Sequence, residues 1–158
     1  MQGELALKKR SLIIILCAAL FVCLVLLAFF GNPIVLKNRY DFGQAVKNIN
    51  AQTIELNDIT TFEWDMVYSF TPYTSKQEME NAIGFKSSHI TETVSEGMVQ
   101  LIFVKGNKVV CCIQGYNSNL GYDISLWTGA ESYCQISYAD DISFSVERKD
   151  NLPLLVRN

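Results

Sequence analysis

The groups in this chain that could carry out acid–base chemistry are a pair of carboxylates and a histidine. Glu63 and Asp65 lie two residues apart in a segment with strand-like alternation, which would place both carboxylates on one face of a strand. His89 is the one histidine of the chain, and it lies in a polar run. This set would suit a hydrolase or a cation-dependent enzyme. Solvated carboxylates and a solvated loop histidine are the simpler interpretation.

Cysteine thiols are the second group with possible chemistry. Two of the five cysteines lie in an apolar stretch near the N-terminus, and the others are Cys111, Cys112 and Cys134. Cys134 could form a disulfide with Cys111 or with Cys112, which would leave one thiol unpaired. Buried free thiols are the alternative, because all three cysteines lie in apolar, strand-like sequence.

The sequence contains no further pattern typical of an enzyme or a metalloprotein. It has no Cys and His spacing of a zinc site, no phosphate-binding glycine loop and no nucleophile elbow. The pair Asp140-Asp141, with Asp123 or Glu131, lacks the spacing of a calcium loop, so a solvated turn is the better interpretation. We therefore expect no metal and no cofactor.

The segment Ser11–Phe30 determines where any such groups would be placed. It holds twenty consecutive residues without a charge, glycine or proline. A helix of that length extends about 30 Å, the thickness of the hydrocarbon core of a bilayer. Fourteen of its residues are Leu, Ile, Phe or Val. Together they favour insertion by roughly 4 to 8 kcal/mol. The segment is predicted to be a transmembrane helix.

The residues that flank this segment indicate its orientation. Lys8, Lys9 and Arg10 directly precede it, which favours an N-terminus inside the cell. Basic residues also follow it, so the opposite orientation stays open. No cleavage site follows the stretch, and each of its cysteines comes after a bulky residue, unlike a lipidated cysteine. The sequence thus predicts a cytoplasmic N-terminus at 1–10, an uncleaved single-pass signal anchor at 11–30, a tether at 31–40 and an extracytoplasmic domain at 41–158.

The composition of the C-terminal part limits its partners. Residues 31–158 carry ten Lys or Arg and fifteen Asp or Glu, a formal charge of −5. Nucleic-acid binding depends on basic patches that contact phosphate, so this class of partner is not expected. The length suits one domain with its own hydrophobic core.

Local patterns predict the first elements of this domain. Residues 62–70 alternate five large apolar side chains with mainly polar ones, which predicts a strand with one buried face. Ser75 and Glu78 have the spacing of a capping box, which predicts a helix over 75–83. Helical spacing of apolar residues predicts a shorter helix over 42–51.

A hairpin is predicted next. Apolar runs at 99–104 and 109–113 flank the turn residues Gly106-Asn107. A two-residue turn there places Val104 opposite Val109, and each earlier residue opposite the next later one. The adjacent cysteines of the second run must then point to opposite faces of the sheet.

The rest of the chain completes an α+β prediction. Strands are expected over 122–127, 133–138 and 142–147, a loop over 115–121, and an edge or a loosely docked end at the C-terminus. The predicted fold is a mainly antiparallel sheet of five or six strands with one or two helices.

Residues 64–74 read WDMVYSFTPYT. They resemble the W-D-x-V-Y-x-F-x-P-Y-T motif of small bacterial membrane-anchored or lipoprotein-like proteins of uncharacterised function, and the later LIFVKGNKVV is similar to their hairpin. The resemblance implies an anchored, small α+β domain on the outer side of a membrane, and it implies no catalytic residue. This chain departs from most such proteins because it lacks a convincing lipidation site.

Asp65, Pro72 and Tyr73 lie at the predicted strand-to-helix corner of this motif. A core and turn role explains the motif, with Asp65 accepting hydrogen bonds from backbone amides. The functional hypothesis assigns the three residues to a partner-binding surface. We expect a non-enzymatic, membrane-tethered domain that binds a protein or an envelope component, with an immunity or inhibitor role as one version. The alternatives are an enzyme that uses Glu63, Asp65 and His89, and a structural subunit of a membrane complex.

Overall fold

The computed structural model describes residues 2–30, 32–127 and 132–158. Within the first range, the side chains of residues 2–8, 11 and 26–30 lie outside the described set. The chain divides into two compact units, Met1–Pro33 and Ile34–Asn158.

The first unit consists of a single helix, α1 (Gln2–Phe30). Its described apolar side chains are consecutive, so they lie on every face of the helix, and they are exposed: Leu12, Ile13, Ile14, Ile15, Leu16, Leu20, Phe21, Val22 and Leu24. Among the described residues, no helix has the combined length and apolarity that a membrane crossing needs. The predicted span Ser11–Phe30 includes residues whose side chains lie outside that set.

The second unit contains the remaining elements. In chain order they are α2 (Pro33–Lys47), β1 (Thr53–Glu55), α3 (Leu56–Ile59), β2 (Met66–Phe70), α4 (Lys76–Ile83), β3 (Met98–Lys105), β4 (Lys108–Tyr116), α5 (Asn117–Leu120), β5 (Asp123–Ser125), β6 (Tyr133–Ser137), a 3-10 turn (Tyr138–Asp140), β7 (Ser143–Lys149) and β8 (Leu152–Arg157). The α+β class is thereby confirmed.

The helix α2 corrects two predictions. The tether expected at 31–40 is wrong, since α2 begins at Pro33 and buries Val35 and Asn38. The helix expected over 42–51 begins nine residues earlier and ends at Lys47. Proline suits the first position of a helix, where no backbone donor is needed, so Pro33 can begin a helix here.

The strands form two four-stranded sheets rather than the one predicted sheet of five or six strands. The first sheet has the order β1-β7-β8-β5, and the second has the order β4-β3-β2-β6. Neighbouring strands are antiparallel except β5 and β8. The C-terminal segment expected at an edge is the interior strand β8, which pairs with strands on both sides.

Two hydrophobic clusters cover opposite faces of the second sheet. One cluster joins residues of both sheets with α2, including Phe42, Phe103 and Phe144. The other joins the second sheet with α4, including Tyr68 and Met79. Because both of its faces are buried, strands of the second sheet are apolar on both sides.

This double coverage changes the prediction for residues 62–70. The strand begins only at Met66, so Trp64 packs in the cluster between the sheets, whereas Tyr68 and Phe70 pack against α4. Val67, expected on a polar face, is fully buried. The prediction of five large side chains on one face is therefore wrong.

The hairpin of β3 and β4 is confirmed with one change in register. Val104 lies opposite Val109 as predicted, but Phe103 lies opposite Cys111 because the register shifts at this point. An extra residue in one strand is a β-bulge, and here it is Val110. The two adjacent cysteines still point to opposite faces, and they belong to different clusters.

The possible disulfide of Cys134 with Cys111 or Cys112 is not formed. Cys111, Cys112 and Cys134 are free thiols. Cys134 lies on β6 and the other two on β4, at opposite edges of the second sheet. Three strand spacings separate them, about 14 Å, whereas a disulfide needs Cα atoms within about 7 Å.

Candidate functional site

Asp65 stabilises the turn of the β3–β4 hairpin. Its amide donates to the Val104 carbonyl at 2.8 Å, and its carbonyl accepts from the Tyr138 amide at 2.9 Å. Its carboxylate oxygen Oδ2 accepts a hydrogen bond from the Gly106 amide at 2.7 Å. The predicted role of Asp65 as an acceptor of backbone hydrogen bonds is confirmed.

Glu63 is held at the same turn by an ion pair with Lys105. The hydrogen bond that Lys105 donates to the Glu63 carboxylate lowers the pKa of Glu63 below its ordinary value. Both partners are solvent-exposed, so water and salt screen the pair and its contribution to stability is small. Both carboxylates of the hypothetical catalytic pair therefore have structural partners.

His89 lies in the loop between α4 and β3, where its amide donates to Ser87 Oγ at 3.2 Å. Within the described chain, no hydrogen bond or ion pair joins His89 to Glu63 or Asp65. Nor do the described residues contain a group of three side chains that could hold a metal ion. The three residues of the enzyme hypothesis are not linked into one site.

The buried thiols are poorly suited to nucleophilic chemistry. Burial raises the pKa of Cys112 to about 11 and raises that of Cys111 further. Because the thiolate is the reactive form, these cysteines stay in their unreactive form at neutral pH.

The three residues assigned to a partner-binding surface do not form one cluster. Asp65 precedes β2, whereas Pro72 and Tyr73 follow it. A five-residue strand separates them by about 17 Å. The corner at the end of β2 is therefore a separate candidate site.

Tyr73 has an unusual backbone conformation at this corner. Its φ of 69° lies in the left-handed region, which is uncommon for an aromatic residue and costs about 1 to 2 kcal/mol. Its amide donates to the Thr93 carbonyl at 2.7 Å, which holds the backbone in place. The side chain is 62% exposed, so its ring has little part in the core. Strained residues of this kind occur often at functional sites.

Hydrogen bonds between threonines and backbone fix the corner. Thr74 Oγ1 donates to the Thr71 carbonyl at 2.8 Å, and Thr71 Oγ1 donates to the Ser132 carbonyl at 3.1 Å. Helix α4 then begins with the predicted capping box, in which Ser75 Oγ accepts from the Glu78 amide and Glu78 accepts from the Ser75 amide. The corner is thus a preformed turn rather than a free loop.

An open cleft lies beside Tyr73. Its volume is about 490 Å³, and it is lined by Phe70, Thr71, Pro72, Tyr73, Thr74, Glu78, Asn81, Ala82, Ser132 and Tyr133. The rings of Phe70 and Tyr133 stack at 5.5 Å between centroids, which gives the cleft an aromatic wall. Glu78 and Asn81 supply polar groups. An aromatic surface with a few polar groups is typical of binding sites.

Sequence reasoning missed Tyr133. It lies 60 residues along the chain from Tyr73, and the antiparallel pairing of β2 with β6 places it opposite Phe70. The strand predicted at 133–138 indicated the extended backbone of Tyr133, but it did not indicate that Tyr133 lies beside Phe70.

A larger cleft of about 780 Å³ lies on the other side of α4. Three of its charged residues have partners: Lys76 lies 3.8 Å from Glu80, and the Lys76 amide donates to Glu92 at 2.8 Å. It lacks stacked rings and a strained residue, so we place the candidate site at the cleft beside Tyr73.

Comparison with protein-family models, with curated proteins and with solved structures returned no match.

Proposed function

We propose that this protein is a membrane-tethered domain that binds a partner protein or an envelope component, without catalysis, through the cleft beside Tyr73. The exposed ring of Tyr73, held in a left-handed conformation by its backbone, is the observation that carries the proposal. Glycine would adopt this conformation without strain, so the exposed tyrosine is held there at a cost in stability.

The membrane tether is supported by the sequence of Ser11–Phe30 and by the consecutive exposed apolar residues of α1. Contiguous exposed apolar surface of this kind is rare on proteins that do not contact a membrane or a partner. The basic residues 8–10 favour a single-pass protein with its N-terminus inside and the domain of residues 34–158 outside the cell membrane. The likeness of residues 64–74 to anchored bacterial proteins points the same way.

We propose the absence of catalysis because the candidate catalytic groups have structural roles or raised pKa values. Asp65 stabilises a turn, Glu63 pairs with Lys105, and the buried thiols have raised pKa values. An immunity or inhibitor protein is one version of such a function, since it needs a binding surface and a location but no reacting group.

The binding proposal is tested by purifying the full-length protein from its native membrane after crosslinking, as wild type and with Tyr73→Phe, Tyr73→Ala and Tyr73→Gly. We expect wild type and Tyr73→Phe to retain one stoichiometric partner, and the other two variants to lose it at least tenfold. Tyr73→Gly is also expected to raise the free energy of unfolding by about 0.5 to 1 kcal/mol, since relief of the left-handed strain is partly offset by the larger loss of backbone entropy that glycine undergoes on folding.

Retention of the partner by Tyr73→Ala would refute binding at this cleft. If His89→Ala or Glu63→Gln abolished function while the partner stayed bound, the result would instead favour an enzyme that uses Glu63, Asp65 and His89. A structural subunit of a membrane complex predicts that exchange of residues 11–30 for an unrelated membrane helix abolishes function. Alkaline extraction and protease protection of the full-length protein test the tether and its orientation directly.

A further inference from the structure

The outer edge of β6 differs from an ordinary protected edge. The hydrogen bonds from the Thr71 amide to the Ser132 carbonyl and from the Tyr138 amide to the Asp65 carbonyl define the ladder between β2 and β6. In an antiparallel ladder every second residue bonds to the neighbouring strand. The backbone groups of Tyr133 and Gln135 therefore point away from β2, and no described residue pairs with them.

The sequence of β6 lacks several of the features that usually protect an edge. Its residues, Tyr133–Ser137, include no charge and no proline, and its pairing with β2 is free of bulges. Native proteins use charged residues, proline and bulges at an edge strand to prevent its pairing with other chains. The next amide along, that of Ser137, donates to the carboxylate of Asp140 at 2.8 Å. The uncovered stretch is thus short and ends at a fixed turn.

The cleft beside Tyr73 adjoins this edge. Tyr133 is the first residue of β6 and also lines the cleft, together with Ser132. Side chains of a strand laid against β6 would alternate between the two faces of the sheet. One of them, on the face of α4, would reach the aromatic wall of Phe70 and Tyr133.

The other end of β6 is acidic. Asn57 Nδ2 donates to the Tyr138 carbonyl at 3.2 Å and to Asp141 Oδ1 at 2.8 Å, which places Asp141 beside the end of the strand. Repulsion from Asp141, and then from Asp58, raises the pKa of Glu55. The edge therefore has an aromatic cleft at its start and negative charge at its end.

We propose that β6 is a docking edge, to which a partner protein adds an extended segment as a fifth strand of the second sheet. This inference rests on the proposed function and names the form of the partner. The segment carries a large apolar side chain for the cleft and a Lys or Arg about four residues away, beside Asp141. Backbone hydrogen bonds supply affinity, and the cleft and the acidic end supply specificity. The negative charge of residues 31–158 disfavours a second copy as the occupant.

The test uses the full-length protein in its native membrane, with Asn81 replaced by a photoreactive benzophenone amino acid. Asn81 is exposed and lines the cleft. The adduct is measured in three backgrounds: unchanged, Gln135→Ala and Gln135→Pro. Proline at position 135 removes an outward amide and leaves the ladder to β2 intact. We expect Gln135→Ala to retain the adduct and Gln135→Pro to lose it at least tenfold, and the crosslinked segment to have the stated apolar and basic pattern.

Folding is checked by the unfolding temperatures of the two variants, with Ile136→Pro as the variant that does break the ladder. If Gln135→Pro fails to fold, Asp58→Lys takes its place, because Asp58 is exposed and the change reverses charge at the acidic end. We expect that variant to lower the adduct yield about fivefold at low salt, and an unchanged yield would overturn the proposal.

Equal adducts in Gln135→Ala and Gln135→Pro would overturn strand addition while leaving binding at the cleft intact. An adduct between two copies of this chain would overturn the partner segment as the occupant. Absence of any adduct in the unchanged background would refute the proposed function together with this inference.

Discussion

The two edges of the second sheet differ in what lies beside them. Along β4, Asn38 Nδ2 of α2 donates to the Val110 carbonyl at 2.8 Å, and Arg39 donates to the Gln114 carbonyl at 3.1 Å. Along β6, the outward groups of Tyr133 and Gln135 have no partner among the described residues. Among the described residues, the sheet thus has one edge that its own chain contacts and one edge without a partner.

The contrast between the β4 edge and the β6 edge indicates that this domain has enough chain to cover an edge of the sheet. Helix α2 donates hydrogen bonds to two carbonyls of one edge and also buries Phe42 and Val46 in the core. An edge that is left uncovered, beside an aromatic cleft, is therefore the one available for binding.

The largest expected effect comes from the helix that covers β4. Phe42 is fully buried, and its ring packs against that of Phe103 in a tilted arrangement, with 5.6 Å between the ring centroids. Phe42→Ala is expected to lower the free energy of unfolding by about 3 to 5 kcal/mol, through lost burial and a cavity. Chemical denaturation of the full-length protein in detergent measures it. A change below 1 kcal/mol would mean that α2 is not an integral part of the domain.

A smaller effect on stability is expected from the hydrogen bond that Asn38 donates to the Val110 carbonyl at the β4 edge. Asn38→Leu retains the size of the side chain but leaves the Val110 carbonyl without its donor. Because Val110 is only half-buried, loss of this donor is expected to lower the free energy of unfolding by about 1 kcal/mol. Gln135→Ala, on the open edge, serves as the control and is expected to change stability by less than about 0.5 kcal/mol. Equal effects of the two substitutions would remove the distinction between the edges.

Acid is expected to weaken the helix cap beside the cleft. Hydrogen bonds from the Ser75 side chain and backbone lower the pKa of Glu78 below its ordinary value of 4.5. The capping box therefore stabilises α4 above that value and is lost as the pH falls through the lower, folded pKa. Amide exchange of α4 should accelerate on acidification beyond the intrinsic pH dependence, and Glu78→Gln should remove this extra response. The hydrogen bond from Asn38 to the Val110 carbonyl serves as the internal reference, because an amide side chain does not titrate.

The smallest effect involves no change in global stability. Amide hydrogen exchange along β6 should alternate, with Cys134 and Ile136 protected by the ladder and Tyr133 and Gln135 exchanging much faster. Exchange measured by nuclear magnetic resonance at single residues resolves this pattern. Strong protection of the Gln135 amide in the isolated protein would mean that the edge is already covered.

Features that depend on neighbouring residues were predictable. The capping box of Ser75 and Glu78 and the helix end at Gly84, with a φ of 86°, follow from residues within one turn of each other. The Gly106 turn predicted the hairpin and its first pair, Val104 with Val109. The bulge at Val110 was not predictable, because it depends on which side chains each face must bury.

The candidate site was predictable only in part. The motif at residues 64–74 drew attention to Pro72 and Tyr73, but it also grouped Asp65 with them across the length of β2. The left-handed backbone of Tyr73 is fixed by Thr93, in a loop about twenty residues away in sequence, so local propensity argued against it.

By itself the sequence determined the apolar stretch of α1, the helix α4, the β3–β4 hairpin and the α+β class, since these depend on composition, periodicity and contacts between near neighbours. Only the tertiary structure decided the division into two sheets, the covering of β4 by α2 and the meeting of Phe70 with Tyr133. Each of these joins residues far apart in the chain, and such pairings are selected by the burial and hydrogen bonding of the whole domain.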